Sequence, residues 1–225
     1  MKLLLLSISA GLLAMTPLAA QDPETIEGLT KIEGARADVL YLLPDVDFRA
    51  YTKVMLDPTE VAFRRNFVRN YNRTVGTGRR IGDEAVQRAA DQFRTGFGQI
   101  FADAYRNAGY EVVTQPGPDV LRLRTGVLNL YVAAPDQMSA GRTRSYSVEA
   151  GEATLVIEAR DSLSGALLGR AFDQRLAGDN MAALRTSVSN RADFEQLFRH
   201  WARASVRGLE ELKASSPVNV AAPRR

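Results

Sequence analysis

Residues 152 to 160 alternate, Val156 apart. Ala153, Leu155, Ile157 and Ala159 fall on one side of an extended chain, and Glu152, Thr154, Glu158 and Arg160 on the other. A strand of period two with one apolar and one polar face belongs in an antiparallel sheet that is buried on one side. Asp161-Ser162-Leu163-Ser164-Gly165 then reads as a turn, with Gly165 free to take positive φ. Ala166 to Gln174 returns as the partner strand. This hairpin, residues 152–174, commits the chain to a sheet. Every other element must lie beside it or cover its apolar face.

The covering elements are two long helices. Val86, Ala89, Ala90, Phe93, Phe97, Ile100, Phe101, Ala104 and Ala108 recur at helical spacing, and Gly109 stands where a left-handed C-terminal cap belongs. Gly96 and Gly98 inside this helix weaken it or allow close packing on a sheet. A last helix runs from about Arg191 to Lys213, capped by Ser189 or Asn190. Its apolar stripe is Phe194, Leu197, Phe198, Trp201, Leu209 and Leu212. Further strands are expected at 37–43, 51–56, 111–114 and 120–132. The last changes phase, since Leu121 and Leu123 have one parity and Leu128, Leu130 and Val132 the other, with Gly126 between them as the expected bulge. Arg142 to Ser147 can add an edge. The fold class is α+β: a two-layer sandwich with a largely antiparallel sheet of about five to seven strands and two long helices on one face.

The start of the chain fixes the expected compartment. Lys2, an apolar run through Met15 and Leu18-Ala19-Ala20 form the three regions of a secretory signal peptide, cut near Ala20. The organisation is then a signal peptide at 1–20, a lead-in at 21–36, one α+β domain at 37–214 and a loose tail at 215–225. A periplasmic location follows. The chain has no cysteine, so it has no disulfide, no thiolate metal site and no lipid-bearing cysteine after the signal. No second apolar run has membrane length, so a mature chain without a transmembrane segment is expected.

The net charge is +3, or +2 without Lys2, but the positive charge is local. Residues 63–80 hold Arg64, Arg65, Arg69, Arg73, Arg79 and Arg80 among Phe63, Phe67 and Tyr71, and no acid. In a cytoplasmic protein such a segment suits nucleic acid. Export makes nucleic acid an unsuitable partner and favours anionic lipid, lipopolysaccharide, wall polymer or another envelope protein. Asp57-Pro58-Thr59-Glu60 reads as a helix start, which would set Arg65, Arg69 and Arg73 on the face opposite the aromatic residues. The competing reading continues a strand through Val61 and Phe63. Arg79 and Arg80 lie in the glycine-containing loop that follows. A second basic stretch, Ala134 to Tyr146, would project Arg142, Arg144 and Tyr146 together if extended. The candidate anion-binding residues are therefore Arg65, Arg69, Arg73, Arg79, Arg80, Arg142, Arg144 and Tyr146.

Other chemistry is thin. His200, the single histidine, has no partners for a triad or a metal site and reads as a helix-surface or half-buried residue. Gly76 to Gly82 departs from a dinucleotide loop, because Ile81 stands in place of the third glycine. Asp45 and Asp47 read as a solvated loop rather than a cation site. No cofactor and no catalytic residue are assigned. The expected function is a non-enzymatic binding or accessory module; the alternative is a periplasmic hydrolase with a carboxylate site that no pattern marks.

The order of several short segments resembles a bacterial family of exported proteins of unknown function, whose members are usually labelled lipoproteins. The segments are Leu43-Pro44 with Asp47, Tyr51 to Val61, Ala134-Pro135-Asp136, Ala140 to Tyr146, Gly151 to Leu155, Asp161 to Gly165 and Ser187 to Arg191. The resemblance spans nearly the whole mature chain. It implies an envelope protein with a mixed α/β fold and transfers no catalytic residue. The absent lipidated cysteine is a departure from many members.

Overall fold

The computed structural model describes residues 24–33, 35–132, 146–147, 151–178, 183–184 and 187–220. In chain order the elements are β1 Thr25–Ile26, β2 Leu29–Lys31, β3 Val39–Leu42, β4 Lys53–Leu56, β5 Glu60–Phe63, α1 Phe67–Thr74 and α2 Asp83–Asn107. They continue as β6 Glu111–Val113, β7 Val120–Val132, β8 Tyr146–Ser147, β9 Gly151–Asp161, β10 Leu167–Ala177, β11 Ala183–Leu184 and α3 Ser187–Ala214. One sheet has nine strands, in the order β1-β2-β3-β10-β9-β7-β4-β6, and β5 joins it by pairing with β7. This exceeds the five to seven strands expected, because the lead-in contributes β1 and β2 and the edge is built from short pieces. A separate pair joins β8 to β11.

The hairpin of β9 and β10 is the centre of the sheet. Ala171 faces Ile157, Asp173 faces Leu155, and Arg175 faces Ala153. Gly165 has φ +71°, as its place in the turn requires. The turn is closed by Asp161: its Oδ1 accepts from the Ser164 N–H at 2.8 Å and the Ser164 hydroxyl at 2.7 Å. Gly151, at the other end of β9, has no room for a side chain, since a Cβ would sit 2.0 Å from the Tyr131 carbonyl oxygen and 2.7 Å from the Phe194 ring.

β7 is the second long strand. Its phase slip is real but lies at Asn129, not Gly126. Asn129 has φ +53°, and the register with β9 shifts between Leu128 and Tyr131. Leu121, Leu123 and Val127 face the core, and Leu130 rejoins it after the bulge, whereas Leu128 is not part of it. Gly126 pairs regularly with Val156 and Glu60. The slip belongs to Asn129 because an asparagine tolerates the left-handed conformation that absorbs the extra residue.

The helix expected from Pro58 does not form. Residues 60–63 are β5, which runs parallel to the second half of β7, with Glu60 opposite Gly126 and Val61 opposite Val127. β4 runs parallel to the first half, with Val54 opposite Leu121. Pro58, which cannot donate to a ladder, sits in the break between them. Asp57 therefore caps no helix. The parallel pairs exist because α2 crosses over between β5 and β6, which places it on one face of the sheet.

α2 and α3 pack on each other and on that face. Phe97, Phe101, Tyr105, Phe194, Phe198 and Trp201 are all buried there. Phe97 stacks on Phe101 at 4.2 Å between ring centres and meets Phe198 edge-on at 5.1 Å. Gly109 has φ +90° just beyond α2, as expected. Gly96 and Gly98 face open space and are not close-packing sites. Ser189 and Asn190 lie inside α3 rather than capping it. After α3, Val218 is buried and exchanges backbone hydrogen bonds with Asp45 and Val46, so this part of the expected loose tail is held. No helix among the described residues is long and apolar enough to cross a membrane.

Candidate functional site

The outer face of the sheet carries arginines in an ion-pair chain. Asp57 accepts from Arg122 at 3.0 Å and lies 3.6 Å from Arg124. Arg124 also lies 3.9 Å from Glu158, which binds Arg160 at 2.8 Å and Arg170 at 2.6 Å. Arg170 continues to Glu27 at 3.1 Å. Burial works to raise the Glu158 pKa, but the hydrogen bonds from Arg160 and Arg170 outweigh it and hold the carboxyl below its ordinary value. Arg64 joins the same face, where its guanidinium pairs with Glu152 and lies 5.4 Å from the centre of the Tyr131 ring. Each of these arginines is used within the molecule.

The next arginines in the segment differ. Arg65 lies in the turn between β5 and α1, so it shares no helix face with Arg69 and Arg73, as a helix from Pro58 would have required. Asn66, with φ +64°, directs the chain into α1. Phe67 anchors the helix: its ring stacks on Phe63 at 4.8 Å and meets Tyr71 at 5.8 Å and Tyr131 at 6.4 Å. These aromatic residues pack against the sheet edge and against one another. That leaves Arg69 and Arg73 outward. Arg65, Arg69, Arg73 and Arg80 are exposed, and none forms an ion pair with a described residue. Arg79 ends a short 3-10 turn, Thr77–Arg79.

A signal that sequence reading missed holds this loop in place. The Asn72 side chain donates to the Ile81 carbonyl at 2.8 Å and accepts from the Ile81 N–H at 2.8 Å. The loop from Val75 to Arg80 is thus closed by an amide that mimics a backbone partner. Of the second basic stretch, Arg142 and Arg144 lie outside the described residues, as does the Tyr146 side chain; only the backbone of Tyr146, in β8, is described.

Two segments noted for their resemblance meet in space. The Tyr51 hydroxyl donates to Asp161 at 3.1 Å, tying the segment before β4 to the hairpin turn. The Tyr51 phenol is pushed up to about 12 by burial and by the Asp161 carboxylate. Asp161 itself is held below the usual carboxylate range by the Ser164 N–H, the Ser164 hydroxyl and Tyr51. These are clasps that keep the turn on the sheet.

A cleft of about 380 Å³ opens between α3 and strands β3, β9 and β10. It exists because small residues face each other: Ala159 and Ala171 on the sheet, Ala204 and Gly208 on the helix. Trp201 and Leu155 form part of its wall, and both are buried. Asp173, also buried, accepts from the Trp201 Nε1–H at 2.7 Å and from Arg175 at 2.8 and 3.0 Å. His200 is exposed at the rim. No group of three or more metal-binding side chains occurs among the described residues.

The family model described as "Protein of unknown function (DUF3313)" matches residues 23–205. No curated protein matches the chain. Among solved structures, the chain is similar to the PelC dodecamer from Paraburkholderia phytofirmans, with 14% identity and a TM-score of 0.36, over 73% of this chain and 93% of that one. It is also similar to protein XCC0632 from Xanthomonas campestris, with 12% identity and a TM-score of 0.39, over 77% of this chain and 91% of that one. Likenesses this distant transfer neither a ligand nor an assembly.

Proposed function

This chain belongs to the DUF3313 family, and from that premise we propose that it is an exported, non-enzymatic binding module of the cell envelope. Its partner is an anionic envelope component, met by Arg65, Arg69, Arg73, Arg79 and Arg80. One observation carries the reading: Arg65, Arg69, Arg73 and Arg80 are exposed and form no ion pair with a described residue, while Arg122, Arg160 and Arg170 of the sheet face are paired. An arginine left without a carboxylate keeps its planar fork free for phosphate or carboxylate oxygens. The Asn72 clasp holds Arg80 close to α1, so the charges act as one surface. On sequence chemistry alone the reading extends to Arg142, Arg144 and Tyr146.

The signal-like start supports an exported chain. The test is sedimentation with anionic and neutral vesicles and with purified wall polymer across a salt series. Binding to anionic material should weaken as salt rises, since exposed charges are screened over about 8 Å at physiological ionic strength. Equal binding to neutral and anionic material at every salt concentration would refute the proposal.

A further inference from the structure

We propose that the cleft beneath α3 binds a free fatty acid, with its alkyl chain between the helix and the sheet and its carboxylate at Arg207. This site is separate from the arginine segment and goes beyond the function proposed above. Close-packed cores leave few voids larger than a water molecule, and ligand clefts begin at roughly 300 Å³. A space of about 380 Å³ therefore suits a small ligand better than a packing fault. A volume of this size favours one alkyl chain over two.

Charge selects the head group. The one buried carboxylate in the wall, Asp173, is already satisfied by Arg175 and the Trp201 N–H, so the interior offers nothing to a cation. At the rim, Arg36 donates to Glu211 at 2.8 Å and the two neutralise each other. Arg207 is exposed there and ion-pairs with no described residue. Among the described residues the rim thus keeps a positive charge without a carboxylate partner next to an apolar slot, the pattern that an anionic amphiphile complements.

The chain holds a single tryptophan, Trp201, and it lies in the wall of the cleft, so its fluorescence reports occupancy directly. The purified protein is titrated with dodecanoate, dodecanol and dodecyltrimethylammonium below their aggregation limits. Dodecanoate should shift the emission saturably. Gly208→Leu should abolish the response without lowering the melting temperature, because a Cβ at 208 meets nothing within 4 Å and the added side chain fills open space. Ala204→Leu is the second blocking variant should Gly208→Leu fold poorly. Arg207→Gln should weaken dodecanoate about threefold and leave dodecanol unchanged, the scale of one exposed charge pair. A parent protein with no saturable response, a blocked variant that binds as well as the parent, or tighter binding of the cation than of dodecanoate would each overturn the proposal. A response that appears only after removal of residues 221–225 would also overturn it, in favour of the chain's own end as occupant.

Discussion

Two sets of arginines lie close together in this molecule and do opposite things. Arg122, Arg124, Arg160 and Arg170 stand on adjacent strands, where register brings a carboxylate within reach of each: Arg124 faces Glu158, and Arg170 faces the same residue from the other side. Arg65, Arg69, Arg73 and Arg80 stand on a turn, a short helix and a loop, with no acid in the segment and no described carboxylate paired with them. The first set neutralises its surroundings. The second leaves a positive surface. The lesson is that a count of arginines says little about binding until the sheet register has shown which of them are already engaged.

The contrast can be broken most strongly at Glu158. Glu158→Ala should lower stability by about 2 kcal/mol, because it strips partners from arginines at a half-buried site. Urea denaturation reads this, and binding to anionic vesicles should not change. An equal loss of vesicle binding would show that the two sets act as one.

The converse experiment replaces Arg65, Arg69 and Arg73 together by glutamine. Affinity for anionic vesicles should fall about tenfold or more at low salt. The unfolding midpoint should stay within roughly 0.5 kcal/mol of the parent, as for surface positions without partners. A large loss of stability would mean that these side chains have structural contacts after all.

A smaller effect is expected at Asn72. Asn72→Ala removes both hydrogen bonds to Ile81 and should cost about 1 kcal/mol. Vesicle binding should weaken by less than in the triple arginine variant. Unchanged proteolysis of residues 75–81 in this variant would show that the clasp does not hold the loop.

The smallest separation is by pH. Glu158 has a folded pKa below its ordinary value of 4.5, so the stability it lends is present above the unfolded pKa and is lost as pH falls through the folded one. Asp161 acts with the same sign at the turn. Stability should therefore decline as pH drops below about 4.5, and the decline should be shallower in Glu158→Gln. The segment at 65–80 holds no carboxylate to lose, so a vesicle of a strongly acidic lipid should remain bound until the fold itself is lost.

Much of this architecture could be read before any coordinates. The alternation of β9, the Gly165 turn, the stripe of α2 and its Gly109 cap are local patterns, and local geometry obeys them. The outward placement of Arg69 and Arg73 was also legible, because Phe67 and Tyr71 claim the inner side of the same helix. The nature of residues 60–63 was not. Asp57-Pro58-Thr59-Glu60 satisfies the rules for a helix start, but Thr59 bonds Thr125 at 2.8 Å across 66 residues of sequence, and β7 takes Val61 and Phe63 as a strand. Distant pairing overrides a cap worth about 1 kcal/mol.

The sequence by itself determined the period of each long element, the sign and crowding of the charge between 63 and 80, and the absence of thiol chemistry. These depend on neighbours along the chain, whose spacing is set by covalent geometry. Only the tertiary structure decided that Asn129 rather than Gly126 carries the bulge, and that the sheet arginines are engaged while those of α1 pair with no described residue. It alone set Ala159 and Ala171 opposite Ala204 and Gly208 to leave a cleft. Each of these is a relation between residues far apart in the chain, and its outcome rests on which strand pairs with which and on how small side chains meet across two layers.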